Sequence, residues 1–152
     1  MQITEVTPDS FHEWLSLALT LWPDYTIEEM REALTIISQS TRQAGFLIRN
    51  DSQTAIGFIN LSLRYDYVPG ATQSPVAFVE GIYVADAYRK QGVGRRLLQH
   101  AEAWARQRDC VELASDALLD NPDSHRFHAA LGFREVERLV AFIRPLPPQA
   151  PE

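Results

Sequence analysis

The stretch Glu80-Gly81-Ile82-Tyr83-Val84-Ala85-Asp86-Ala87-Tyr88-Arg89-Lys90-Gln91-Gly92-Val93-Gly94-Arg95-Arg96-Leu97-Leu98 decides the architecture. An apolar strand ends near Val84, and a short loop follows. Two glycines come next, flanked by Arg89, Lys90, Arg95 and Arg96, and an amphipathic helix starts at once. The first N–H groups of a helix lack intrahelical partners and carry partial positive charge. Glycine lets the backbone approach an anion closely, so the pattern predicts a site for a phosphate-bearing ligand. No Gly-Lys-Ser/Thr follows, which separates it from the nucleoside-triphosphate loop.

Working outward, Pro75 to Val84 reads as the fourth strand, preceded by a polar loop over Tyr65 to Ser74. Gly45 to Asn50 and Thr54 to Arg64 read as a hairpin turning at Asn50-Asp51-Ser52-Gln53. Ile3 to Val6 reads as a first strand, with Thr7-Pro8-Asp9 opening a helix that ends at Pro23. Thr26-Ile27-Glu28-Glu29 is a capping-box pattern for a second helix. On the other side, the helix Gly92 to Gln107 leads to a short strand, Val111 to Ser115, which makes one parallel βαβ unit. Asn121-Pro122 starts a helix that Gly132 ends, and Phe133 to Ile143 reads as the last strand. The expected organisation is one domain over 1–144 with a Pro-rich, disordered tail over 145–152. The early antiparallel strands argue against a dinucleotide fold built of repeated βαβ units.

Composition narrows the function classes. The chain has 152 residues, 45% hydrophobic and 22% charged, as expected of a globular domain. A net charge of −6 disfavours nucleic acid and suits a cationic partner. The single cysteine, Cys110, allows no disulfide framework and reads as a small buried hydrophobe. The start, Met1-Gln2-Ile3-Thr4-Glu5, lacks a signal-peptide pattern, and no run approaches the ~18 apolar residues of a membrane span. The expectation is a cytoplasmic protein with no membrane, nucleic-acid or metal partner.

Three pieces carry a resemblance. Arg89-Lys90-Gln91-Gly92-Val93-Gly94 resembles the pyrophosphate loop of the GCN5-related N-acetyltransferase superfamily. Asn121, Ser124 and His128 resemble its Asn…Ala/Ser…Tyr helix, and Leu131-Gly132-Phe133 resembles the Leu-Gly-Phe that follows. A narrower likeness, to the aminoglycoside 6'-N-acetyltransferases of Gram-negative bacteria, rests on Leu21-Trp22-Pro23, Arg64-Tyr65-Asp66-Tyr67-Val68, Ser74-Pro75-Val76, Phe78-Val79-Glu80-Gly81-Ile82 and Ala114-Ser115-Asp116. Ala130-Leu131-Gly132-Phe133 with Glu135 and Glu137-Arg138 completes it. The resemblance implies an α+β fold with a mixed, mostly antiparallel sheet, a splayed parallel strand pair and flanking helices. It implies acetyl-CoA as donor and an aminoglycoside amine as acceptor. Homodimers with the last strands near the interface are implied too.

Acetyl transfer needs a held thioester, a neutral amine and a proton for the leaving thiolate. By resemblance, Gln91, Gly92, Val93, Gly94 and Arg95, helped by Arg89, hold the pyrophosphate, and backbone groups of Ile82 and Val84 pair with the pantetheine arm. Glu80 interrupts an apolar strand beside Gly81, a sign of a bulge, although a solvent-facing acid would read the same way. Asp116 ends the next strand and can face Glu80, though aspartate is also a common turn residue. The resemblance favours Asp116 as base and Glu80 as substrate anchor, with the roles interchangeable. His128 stands where the superfamily often has a proton-donating tyrosine; a packed helix histidine is the plainer reading. Asn121 reads both as an N-cap and as a contact to the arm. Trp22 and Tyr67 are the acceptor-side aromatics, Trp22 being equally readable as core, and Glu137 is an ammonium partner by resemblance alone. Another amine, such as a polyamine or a peptide N-terminus, is the neighbouring alternative, and a non-catalytic acyl-CoA sensor is the rival from another class.

Overall fold

The computed structural model describes residues 1–152. Five strands form one sheet in the order β1-β2-β3-β4-β5: β1 Gln2–Glu5, β2 Gln43–Arg49, β3 Ala55–Arg64, β4 Val76–Val84 and β5 Leu113–Ser115. The first four are antiparallel neighbours, and β4 and β5 are parallel. The helices are α1 Phe11–Leu21, α2 Ile27–Gln39, α3 Val93–Arg106 and α4 Pro122–Ala130. The α+β class, the mixed sheet and the parallel pair are those expected from the sequence.

Strand alternation sorts the core onto two faces. Phe46, Ile48, Ile59, Leu61 and Val79 pack with Val93, Leu97, Ala101 and Trp104 of α3. Leu47 and Phe58 point the other way, against Trp14, Ala18, Met30 and Leu34 of α1 and α2. The predicted capping box forms: Thr26 Oγ1 accepts from Glu29 N–H at 3.1 Å, and Glu29 Oε1 accepts from Thr26 N–H at 3.1 Å. In α1 the turn over Thr7 to Ser10 precedes the helix, which starts later than Pro8 suggests.

One expectation fails. Residues 133–144 form no strand in this chain. Phe133 packs against the main core, and Val136 lies against Gly70, but beyond it the apolar side chains are exposed, with Phe142 91% and Ile143 98% accessible. Leu139 to Ile143 is apolar throughout, so the sequence alone is strand-like; a strand also needs a ladder partner, which this chain does not supply.

Candidate active site

β4 and β5 share three rungs, Ala77 with Leu113, Phe78 with Ala114 and Val79 with Ser115. β5 then ends while β4 runs on to Val84, paired only with β3. The strands therefore part at the rung after Val79 and Ser115, and the two residues that follow are Glu80 and Asp116. Thus the pair that the sequence suggested stands at the mouth of the splay.

Glu80 is the bulge itself. Asn60 pairs with Gly81 and Leu61 with Val79, leaving Glu80 as the extra residue. Its Oε1 accepts from Ser62 Oγ at 2.5 Å and from Arg64 Nε at 3.0 Å, and its Oε2 from Arg64 Nη2 at 2.9 Å. The Arg64 guanidinium lies 3.4 Å from the Phe78 ring centroid, which fixes the fork. Both carboxylate oxygens are thus engaged, whereas Asp116 is exposed and makes no hydrogen bond or ion pair. The sequence assigned Arg64 and Ser62 no role at the acid; their ladder partners are Val76 and Phe78, and only the bulge brings Glu80 onto them.

Gly81 leaves room for Trp22. A Cβ at Gly81 would lie 2.4 Å from Trp22 Cη2, so the indole sits directly on the bulged strand, half-buried and tilted against Phe58. This position serves both readings of Trp22, since the ring packs on Phe58 and lies over Gly81, the residue after Glu80. Tyr67 is exposed in the loop before β4. Glu137 lies in the segment after α4, exposed and in no strand, so its place on a last strand is corrected.

The glycine turn opens α3. Gly92 caps α3 at φ +82°, where side chains are strained; the space a Cβ would take there is open to 4 Å, and no side chain caps the helix. The N–H groups of Val93, Gly94 and Arg95 therefore begin a 14-residue helix without a side-chain partner. Gly94 is buried for a different reason: a Cβ there would meet the Phe127 ring at 3.0 Å, so its absence lets α4 seat on α3. Arg89 Nε donates to the Val84 carbonyl at 2.9 Å and its Nη1 pairs with Asp86 at 3.0 Å, anchoring the loop to the strand end. Gln91 Nε2 donates to Ala87 O, and Arg95 Nη2 to Ala130 O. Ile82 packs against the core while pairing with Ile59.

Asn121 caps α4, its Oδ1 accepting from Ser124 N–H at 3.1 Å; the cap reading holds and the amide NH₂ is left uncommitted. His128 Nδ1 lies 2.7 Å from the Ser124 carbonyl oxygen and Nε2 2.8 Å from Ser115 Oγ. The ring is flanked edge-on by Phe127 and Phe133. His128 is thereby joined to the end of β5 through Ser115, a residue to which the sequence assigned no role. Cys110 is buried, and burial pushes its thiol above the usual range. No three His, Cys, Asp or Glu side chains cluster as a metal would require.

Known proteins share this fold. Residues 9–133 match the acetyltransferase (GNAT) family. The chain belongs to that family. An aminoglycoside N(6')-acetyltransferase type 1 of Acinetobacter genomosp. 13 is 45% identical over 142 residues, 93% of this chain and 97% of that protein. Its namesake from Serratia marcescens is 44% identical over 138 residues, 91% and 94% of the two chains. Among solved structures, the aminoglycoside 6'-N-acetyltransferase AAC(6')-Ig from Acinetobacter haemolyticus superposes with a TM-score of 0.92 at 37% identity, covering 97% of this chain and all of that one. AAC(6')-Iy, solved with the bisubstrate analogue CoA-S-monomethyl-acetylneamine, superposes with a TM-score of 0.89 at 34% identity over 95% and 98% of the two chains.

Proposed function

We propose that this member of the GNAT family moves the acetyl group of acetyl-CoA to the 6'-amine of an aminoglycoside. The observation that carries the reading is the splay: it opens at Glu80 and Asp116, beside an uncapped helix start, in a chain that matches a relative solved with a joined CoA–aminoglycoside analogue over nearly its whole length. The first-turn N–H groups of Val93, Gly94 and Arg95, with Gln91, Gly92 and Arg89, hold the diphosphate. Backbone groups of Ile82 and Val84 and the Asn121 amide hold the arm, and N–H groups of the splayed β4 polarise the thioester carbonyl. Asp116, with both oxygens free, takes a proton from the ammonium, and the amine attacks directly in a ternary complex. Glu80, fixed by Arg64 and Ser62, acts with Trp22, Tyr67 and Glu137 to seat the cationic sugar, and His128 supplies the proton that the leaving thiolate needs. Residues 1–144 form the catalytic domain and 145–152 a tail.

Mass spectrometry after incubation with acetyl-CoA and tobramycin or kanamycin tests this. One added acetyl at the 6'-nitrogen is expected, with spermidine and a peptide amine much slower. Faster acetylation of spermidine or peptide would replace the acceptor, and tight coenzyme binding without turnover on any amine would make the chain a sensor.

We also propose a cytoplasmic homodimer. No helix is long and apolar enough to cross a membrane. Val136, Leu139, Val140, Phe142 and Ile143 are exposed on a segment without a ladder, and β5 is an edge strand with one free side. A second copy supplies what each lacks, since an unpaired edge is a template for another chain. Light scattering is expected to give twice the 17.2 kDa chain mass, and Phe142→Arg to halve it.

A further inference from the structure

The hydrogen bonding of His128 fixes its tautomer. The Ser124 carbonyl oxygen can only accept, so His128 Nδ1, 2.7 Å away, carries a hydrogen. In the neutral ring Nε2 is then an acceptor, and the Ser115 hydroxyl at 2.8 Å donates to it. A hydroxyl on a histidine nitrogen, with the other nitrogen oriented by a third group, is the arrangement by which proteins move protons at a reacting centre. Its place matters as much as its chemistry. Ser115 occupies the last rung that β5 shares with β4, opposite Val79, whose carbonyl is 3.5 Å from the same hydroxyl. The Ser115 oxygen is thus the side-chain polar atom that α4 connects to the point where the strands part.

We propose that Ser115 relays the proton of His128 to the departing sulfur. The proposal rests on the acetyltransferase reading and adds a residue to it. In the imidazolium form the bond between the two side chains reverses: His128 Nε2–H donates to Ser115 Oγ, and the serine hydroxyl is freed to donate toward the splay. As the carbon–sulfur bond breaks, its electron pair stays on sulfur. Sulfur takes the Ser115 hydrogen, Oγ takes the Nε2 hydrogen, and His128 is left neutral with its remaining hydrogen on Nδ1. Of the two protons that the acceptor ammonium gives up on becoming an amide, one is matched by the proton put on sulfur and the other leaves to solvent, so the charges balance.

Two measurements test the relay. Imidazole ¹⁵N NMR of the free enzyme, with His128→Gln for assignment, is expected to show His128 protonated on Nδ1, and Ser115→Ala to move the Nε2 resonance; an Nε2–H tautomer or an unmoved resonance overturns the relay. In steady state with acetyl-CoA and tobramycin, Ser115→Ala is expected to lower kcat roughly 10- to 100-fold, within reach of a general acid, with the acetyl-CoA KM and the melting temperature little changed. Ser115→Thr should restore most of the rate, and Ser115→Ala with His128→Gln should cost no more than the worse single change. Full kcat in Ser115→Ala, or losses that multiply, overturn the relay while leaving the acetyltransferase reading standing. A wild-type chain that acetylates no amine removes the reading itself.

Discussion

Residues 1–110 and 111–152 are built differently. Every buried residue lies in the first part, the last being Cys110; after it none is buried. The first part closes on itself, two helices on one face of the sheet and α3 on the other. The second part, β5, α4 and the segment after it, leans on the first through Phe127 at Gly94, Phe133 at the core and Ser115 at Val79. The proposed chemistry sits along the seam, with Glu80 on the closed side and Asp116, Ser115 and His128 on the open one. A rigid wall facing groups with free surface is what a site needs if it must admit two substrates yet hold their reacting atoms in place.

The comparison can be broken by substitution. Leu97→Ala, at a fully buried position on α3, should cost about 2–5 kcal/mol and lower the melting temperature by several degrees; a change under about 1 °C would mean that the first part is not the closed core described. Asp116→Asn should leave the melting temperature alone, because the side chain is exposed and unpartnered, yet reduce kcat by about 10²-fold or more. Unchanged kcat would remove Asp116 as base. Gly81→Ala puts a methyl against Trp22 and should destabilise by about 1–3 kcal/mol while raising the acceptor KM more than that of acetyl-CoA. Equal effects on both KM values would detach Trp22 from the acceptor.

The smallest effect concerns His100. Burial against Phe46 holds its imidazole below the ordinary histidine range, an effect that Glu5 partly opposes. A group whose folded pKa is depressed contributes its full stability above the unfolded value, near ~6.5, and loses it as pH falls through the folded value. Melting temperatures should therefore sag on acidification below that value, and His100→Gln should flatten the sag; an equal slope in the variant would assign it elsewhere.

Much of this was legible in the chain. Helical spacing, the capping box and alternation in β2 to β4 are local, so the elements and the closed core could be read directly. The glycine turn was legible because a φ of +82° at Gly92 leaves few residues to choose from. The bulge at Glu80 was legible as an acid beside a glycine in an apolar run. The engagement of Glu80 by Arg64 and Ser62 was not, because it depends on which face the bulged residue takes across the β3–β4 ladder. Ser115 stood in the sequence only as part of Ala114-Ser115-Asp116 at a strand end, with nothing to mark its contact with His128.

The sequence by itself determined the four helices and the first five strands, where a glycine turn opens α3, and that acids and aromatics are available for a cationic partner, because these follow from periodicity, φ preference and charge. Only the tertiary structure decided that the two carboxylates follow the same rung, that Ser115 meets His128, that Trp22 lies on Gly81, and that Leu139 to Ile143 finds no ladder in its own chain. Those are contacts between residues far apart along the chain, and strand pairing depends on a partner's free edge as much as on the strand's own residues.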